Sequence, residues 1–333
     1  MITNILCTTN MVVLYYSILV ISMKFVYQTG ALFIFEKCTL KKIRMVKVII
    51  FTDRSKKLAL ITIVLLMLGF IIIKIIEMNN AQNLCVAIRQ EDRKKINKLI
   101  ESSWNTNSLS SVTFLQFAEI TPTTPMSEAC RMSDIETIKH LMEKGALVNR
   151  ISGDFSSPLH NATDNYGISA YGGRPDYEIL KLLLENGADP NISIRGYYPL
   201  LNICDQYVKV SNSDTRRVDE EEYLRAIKLL IEYEADVSVT QYKENVVHKL
   251  AKNNNLMCLE YFLDNYEFDI NLLNDSGQTA LIKACDSEFG GLECVQLLID
   301  RGIDKTIKDN SNKTAYDYAK ERRNIELMKL LLE

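Results

Sequence analysis

The sequence is short of several residue types, and each shortage excludes something. Histidine occurs 3 times in 333 residues. None of the three sits in an HExxH pattern or beside paired cysteines, so zinc-hydrolase and structural-zinc arrangements are not expected. With 13 glycines there is no glycine-rich phosphate loop and no nucleophile elbow. The 8 cysteines include no CxxC pair. Six of them, Cys85, Cys130, Cys204, Cys258, Cys285 and Cys294, fall inside apolar helical patterns and read as buried free thiols. No catalytic, metal-binding or cofactor-binding residue is assigned, and neither an enzyme nor a small-molecule substrate is expected.

Charge is scarce only in total. The net charge of −3 conceals +8 over residues 1–76 and −11 over the remainder. An acidic body argues against nucleic acid, whose binding needs clustered Lys and Arg to release counterions. A basic, apolar front followed by an acidic body points to a membrane-proximal segment and a separate soluble domain.

The front carries "LALITIVLLMLGFIII", Leu58 to Ile73, uncharged and extended by Ile75 and Ile76 past Lys74. That length is expected to cross a bilayer over residues 58–76 as a helix, with Lys74 snorkelling to the headgroups. A cleaved signal peptide would need a shorter apolar region and a small-residue cleavage site. The weaker stretch 11–35, broken by Lys24, Gln28 and Gly30, is either a first span, which would make the protein two-pass, or sequence upstream of a start at Met45. Residues 45–57 form a basic lead into the anchor. The positive-inside rule then puts the body on the non-cytoplasmic side, while unpaired thiols pull toward a reducing cytoplasm.

The body repeats itself. A short turn followed by an apolar helix recurs as "TPMSEAC" (Thr124), "SPLHNAT" (Ser157), "YPLLNIC" (Tyr198), "NVVHKLA" (Asn245), "TALIKAC" (Thr279) and "TAYDYAK" (Thr314), at steps of 33, 41, 47, 34 and 35 residues. A second apolar segment follows each one; "EILKLLLENGADPN" is the clearest. The order of turn, second helix and loop, six times over, resembles the ankyrin repeat family from about Asn83 onward. The resemblance implies an all-α ankyrin repeat solenoid over residues 79–333, preceded by the transmembrane helix. The repeats run at about 124–153, 157–194, 198–240, 245–274, 279–308 and 314–333, with a cap at 83–104 and the last repeat closing the stack.

The pieces have physical reasons. Thr or Ser at the turn accepts from backbone N–H groups, and Pro in the first helical turn gives up a donor that is orphaned there anyway. Leu159 and Ala162 share a face, as do Leu180, Leu183 and Leu184. Gly145, Gly187 and Gly302 supply the left-handed residue that ends a second helix, and Asn312 stands in for a loop glycine. Glu234 and Glu267 occupy the helix-ending glycine position in their own repeats. Long inserts at 164–176 and 205–222 read as surface loops. The acidic run 219–222 reads as a helix first turn complementing the dipole, not a cation site. His160 and His248 read as turn hydrogen-bonding residues, and His140 as an ordinary helical residue.

A solenoid of this family implies a protein partner held on the concave surface. Interfaces favour aromatics and Arg at their centre. The hairpin loops offer Phe155, Arg195, Tyr197 and Tyr242, and the inserts offer Tyr166, Tyr171, Arg174, Arg216 and Arg217. The expected role is a membrane-anchored interaction module, an inhibitor or immunity-type factor in its particular form, with a non-inhibiting scaffold as the alternative. The Ile-, Lys- and Asn-rich composition suggests an AT-rich bacterial source.

Overall fold

The computed structural model describes residues 31–35, 45–50, 53–102, 105–108, 123–153, 156–163, 175–206, 220–288 and 291–333. Internal contacts divide the chain into two units, Met1–Ile76 and Glu77–Glu333.

In the first unit, β1 (Ala31–Phe35) and β2 (Met45–Ile50) pair antiparallel, with Ala31 opposite Ile50 and Phe35 opposite Met45. Both strands are rich in Val, Ile and Phe, side chains that suit a pleated surface. The hairpin was not assigned from sequence, and it takes the last five residues of the 11–35 stretch out of any helical span. Helix α1 (Asp53–Arg89) begins in this unit and ends in the second. Among the described residues it is the one helix long and apolar enough to cross a membrane. Its large apolar side chains, such as Leu65, Leu66, Phe70 and Ile75, lie exposed.

The second unit is the solenoid. The end of α1 buries Ala81, Leu84, Cys85 and Ile88 and turns through Glu91, at φ 53°, into α2 (Arg93–Glu101). Six helix pairs follow: α3 (Pro125–Arg131) with α4 (Ile135–Glu143), α5 (Pro158–Thr163) with α6 (Tyr177–Glu185), and α7 (Pro199–Gln206) with α8 (Glu220–Glu232). The remaining pairs are α9 (Val246–Lys252) with α10 (Leu256–Asn265), α11 (Ala280–Asp286) with α12 (Leu292–Asp300), and α13 (Ala315–Glu321) with α14 (Ile325–Leu332). First helices stack on first helices from α3 to α13, and second helices stack on second helices from α6 to α14. One repeat cannot bury its own apolar face, so the core is continuous along the stack.

Caps set the helix starts. Thr124, Asn245, Thr279 and Thr314 each accept the backbone N–H three residues on, and Thr314 completes a capping box with Asp317. Ser157 accepts from the His160 N–H at 3.3 Å. Asp134, Asp176, Asn255 and Asn324 cap second helices in the same way. Gly291 opens α12 without a side-chain cap; a Cβ there would fall 2.0 Å from Asn254 Oδ1, so any larger residue must displace the Asn254 side chain. Leu159, Ala162, Leu180 and Leu183 are fully buried, as their spacing predicts.

Helix exits vary more. Gly145, Gly187 and Gly302 adopt φ of 81°, 83° and 82°, and Glu234 takes the same left-handed conformation at φ 68°. Repeat four differs: α10 ends at Tyr266 in extended backbone. There Tyr266 and Phe268 pack on Phe262, with ring centroids 5.9 and 6.2 Å away. Asparagine side chains join successive loops. Asn107 donates to Gly145 O and accepts from Leu147 N, and Asn149 does the same with Gly187 O and Asp189 N. Asn191 continues with Glu234 O and Asp236 N. Ser238 occupies the next position and bonds Asp236 instead, and Asn271 resumes the series at Asp304 N.

Candidate interaction surface

The hairpins between repeats are built in two ways. Ile194 pairs with Tyr197, and Gln241 with Glu244, around two-residue turns. Their central residues all have positive φ: Arg195 57°, Gly196 81°, Tyr242 53° and Lys243 59°. This is the pattern of a type I′ turn, for which Asn-Gly is the relaxed choice. The longer hairpins at 274–278 and 309–313 instead use a side chain. Asn274 Oδ1 accepts from Ser276 and Gln278, and Asp309 Oδ1 from Ser311 and Lys313, with Gly277 and Asn312 left-handed. Asp275 N donates to Tyr242 O at 3.0 Å, and Asn310 N to Ser276 O at 3.1 Å, so each tip rests on the next.

Three predicted contact residues lie on these tips. Tyr197 and Tyr242 are 48% and 65% exposed, and Arg195 is exposed beside Tyr197. Holding a non-glycine residue left-handed costs roughly 1 kcal/mol. Lys243 Nζ lies 3.6 Å from Asp275 on the next tip, whereas the Tyr242 side chain stands exposed where Asn would be unstrained. Phe155, Tyr166, Tyr171, Arg174, Arg216 and Arg217 lie outside the described residues.

The first helices contribute a feature that was not singled out from the sequence. Four residues after each turn residue stands a side chain with a polar group: Glu128, Asn161, Asn202, Lys249, Lys283 and Tyr318. Most of these residues reach a neighbouring repeat. Glu128 takes Arg89 bidentately at 2.7 and 3.0 Å, Asn161 donates to Ser127 O, and Asn202 donates to Thr163 Oγ1. Lys249 Nζ sits 2.8 Å from Asp205 and 3.3 Å from Glu244, and Lys283 lies 2.9 Å from Glu244. Lys252 adds a 3.1 Å contact to Asp205. Tyr318 donates to Asp309 at 2.5 Å and accepts from Gln278 Nε2 of the preceding hairpin at 3.5 Å. The recurring polar residue at one register position, read down the six turns, was the available signal.

Burial pushes the Asp205 and Glu244 carboxyls up, but the lysine ammoniums outweigh it and hold both below the ordinary range. Burial likewise works against charged Lys249, yet the same two carboxylates hold its pKa above normal. The turn histidines do as expected. His160 Nδ1 faces Ser157 Oγ at 2.8 Å and its Nε2 faces Tyr197 O at 3.0 Å. His248 faces Asn245 Oδ1 and the carbonyls of Leu272 and Gln278. Burial lowers both imidazole pKa values. His140 bonds Glu101, which also takes Lys144, tying α2 to α4. Glu220, Glu221 and Glu222 form the first turn of α8, and Glu220 also accepts from Met257 N at the start of α10. All six cysteines of the solenoid are buried, with no disulfide among them, and burial lifts Cys85, Cys258 and Cys285 to about 12.

Comparison with known proteins agrees with this architecture. A family model described as ankyrin repeats in three copies matches residues 218–309 and 269–333, and a single ankyrin repeat model matches 154–194. A protein of Acanthamoeba polyphaga mimivirus described as ankyrin repeat protein L92 is 30% identical over 161 residues, 47% of this chain and 36% of its own length. A second from that virus, R96, is 28% identical over 137 residues, 41% of this chain and 12% of its own length. The chain thus spans about a third or less of these curated relatives. Among solved structures, the human ASB11 ankyrin repeat domain superposes with a TM-score of 0.55 at 19% identity, covering 75% of this chain and 96% of that one, a likeness of fold. Turn, paired helices and matched family models together show that this chain belongs to the ankyrin repeat family.

Proposed function

We propose that the chain is a membrane-anchored capture module: α1 seats residues 58–76 in the bilayer and the hairpin rim of the solenoid holds a protein partner. Protein–protein interaction is what ankyrin repeats serve. The observation that carries the reading here is the pair of exposed tyrosines on left-handed hairpin tips, Tyr242 above all. Backbone strain under an exposed aromatic points to selection for contact rather than folding. The anchor is supported by the run of exposed apolar side chains on α1, which water solvates poorly. A binding role, not a catalytic one, is supported by the histidines: the two at the repeat turns are spent on backbone and cap groups, and His140 on an inter-repeat contact.

The test is site-specific photocrosslinking in intact cells, with a photoreactive phenylalanine at Tyr197 or Tyr242 and, as control, at Glu260 on the second-helix face. Adducts from the tips and none from the control support the reading; equal adducts, or none, overturn it. Assay of the captured protein's activity in the complex separates an inhibitor from a tether. The side of the membrane follows from Thr240→Cys in a chain whose native cysteines are replaced by Ala. Labelling by a membrane-impermeant thiol reagent in intact cells matches the charge-based orientation, and protection lifted by lysis reverses it.

A further inference from the structure

The polar column on the first helices changes sign along the stack: Glu128 in repeat one, Asn161 and Asn202 in two and three, Lys249 and Lys283 in four and five. The lysine end gathers Lys249, Lys252 and Lys283 around Asp205 and Glu244. Among the described residues, three ammoniums thus face two carboxylates. The next acid on these helices, Asp286, is taken by Arg322 at 3.3 Å. This local excess of positive charge stands inside a body that carries −11 overall.

A second, independent shortage lies in the same cluster. Gln241 is 6% exposed, and its Nε2 has no hydrogen-bond partner. Lys249 fixes which end is orphaned: an ammonium only donates, so the oxygen must face it, at 3.4 Å, and the amide N–H groups point elsewhere. A buried donor without an acceptor is costly to leave unmade. The surplus ammonium lacks an anionic acceptor, and the sealed Gln241 amide beside Lys249 leaves a donor unmade, so the cluster holds polar groups in excess of acceptors.

We propose that the first-helix and hairpin face of repeats three to five is a carboxylate-recognition site for an acidic peptide segment of the partner protein. This rests on the protein-capture reading and names the chemistry of what is captured. Lys252 and Lys283 are 37% and 20% exposed, so the cluster is open to a ligand. Tyr242 and Lys243 follow Gln241 directly in the chain and stand at the tip above it. An Asp or Glu side chain supplies the single negative charge the cluster lacks.

The experiment uses the full-length chain in nonionic detergent and a displayed library of random dodecapeptides. Selected peptides are expected to be rich in Asp and Glu, with affinities that fall as salt rises. The decisive variant is Gln241→Glu, which places a carboxylate beside the surplus ammonium in cis. Peptide affinity should fall about tenfold while thermal stability holds or rises. A variant that merely damages the fold would lower both. Lys252→Gln, half-exposed and outside the core, should also weaken binding and serves if Gln241→Glu does not fold. Peptides without acidic residues, or acidic peptides indifferent to both variants, overturn the carboxylate site. If those peptides are still lost with Tyr197→Ser and Tyr242→Ser, capture itself stands. Peptides insensitive to every one of these changes, or none selected, overturn capture as well. Displacement of acidic peptides by equimolar inorganic phosphate would reduce the site to a small-anion site and overturn the peptide assignment.

Discussion

The junction between repeats three and four is held differently from the junction between two and three. Between two and three, Asn191 bridges the loops through Glu234 O and Asp236 N. Between three and four that rung is missing from both sides: Ser238 is too short to reach across, and Tyr266 and Glu267 lack the left-handed turn whose carbonyl would receive it. The first helices compensate at the same junction. Lys249 and Lys252 clasp Asp205, and Asn253 Nδ2 donates to the Cys204 and Asp205 carbonyls at 3.2 and 2.9 Å. A stack tolerates loss of one inter-repeat device where another is supplied, because its stability is a sum over neighbouring interfaces.

That contrast can be broken most severely at Lys249. Lys249→Ala takes the shared cation from half-buried Asp205 and buried Glu244, which keep only Lys252 and Lys283, and should cost about 2–3 kcal/mol by urea denaturation. Gly291→Ala drives a Cβ into Asn254 and should cost about 2 kcal/mol, with Asn254→Gly in the same chain restoring most of it. The ladder itself is tested by a pair of variants. Asn191→Ala should lose about 1–2 kcal/mol and Ser238→Ala less than about 0.5 kcal/mol, since only the first bridges two repeats. Equal losses would erase the distinction between the two junctions.

Acid supplies a gentler probe. His160 and His248 have pKa values lowered by burial, so the unfolded chain takes up their protons first. Their contribution is complete above the unfolded pKa of about 6.5 and is lost as pH falls below it, by up to about 1 kcal/mol per histidine at pH 5.5. Stability measured at pH 7.5 and 5.5 should show that drop, and His248→Gln should remove about half of it, leaving the His160 share. Asp205 and Glu244 have lowered pKa values and act later, their contribution remaining until pH falls below the ordinary carboxylate range. The smallest effect is expected at the rim. Lys243→Gly relaxes a left-handed residue and should stabilise by about 0.5–1 kcal/mol, the sign opposite to every other change here.

How much of this was legible follows from which features repeat. Turn residues, second-helix leucines and closing glycines recur in register, so the repeats could be read from spacing. Glu234 shows the limit: it takes the left-handed conformation of the glycine it replaces, while Glu267 does not, and nothing in either residue's identity decides between them. The difference comes from packing of Tyr266 and Phe268 on Phe262, a tertiary effect. The charged cluster escaped for a related reason. Asp205, Glu244, Lys249 and Lys283 belong to three repeats, and only stacking brings them together. The left-handed hairpin tips were equally invisible, since Tyr-Lys carries no turn signal.

The buried cysteines give the molecule its own set of clocks. Cys85 lies in the cap, Cys130 in repeat one, Cys204 in three, Cys258 in four, and Cys285 and Cys294 in five. Sealed from solvent, each thiol reacts only when its own neighbourhood opens, so alkylation rates measured under native conditions report local opening free energies position by position. A slow gradient along the chain would describe a solenoid that frays from an end; an abrupt step between Cys204 and Cys258 would describe one that parts at the rungless junction.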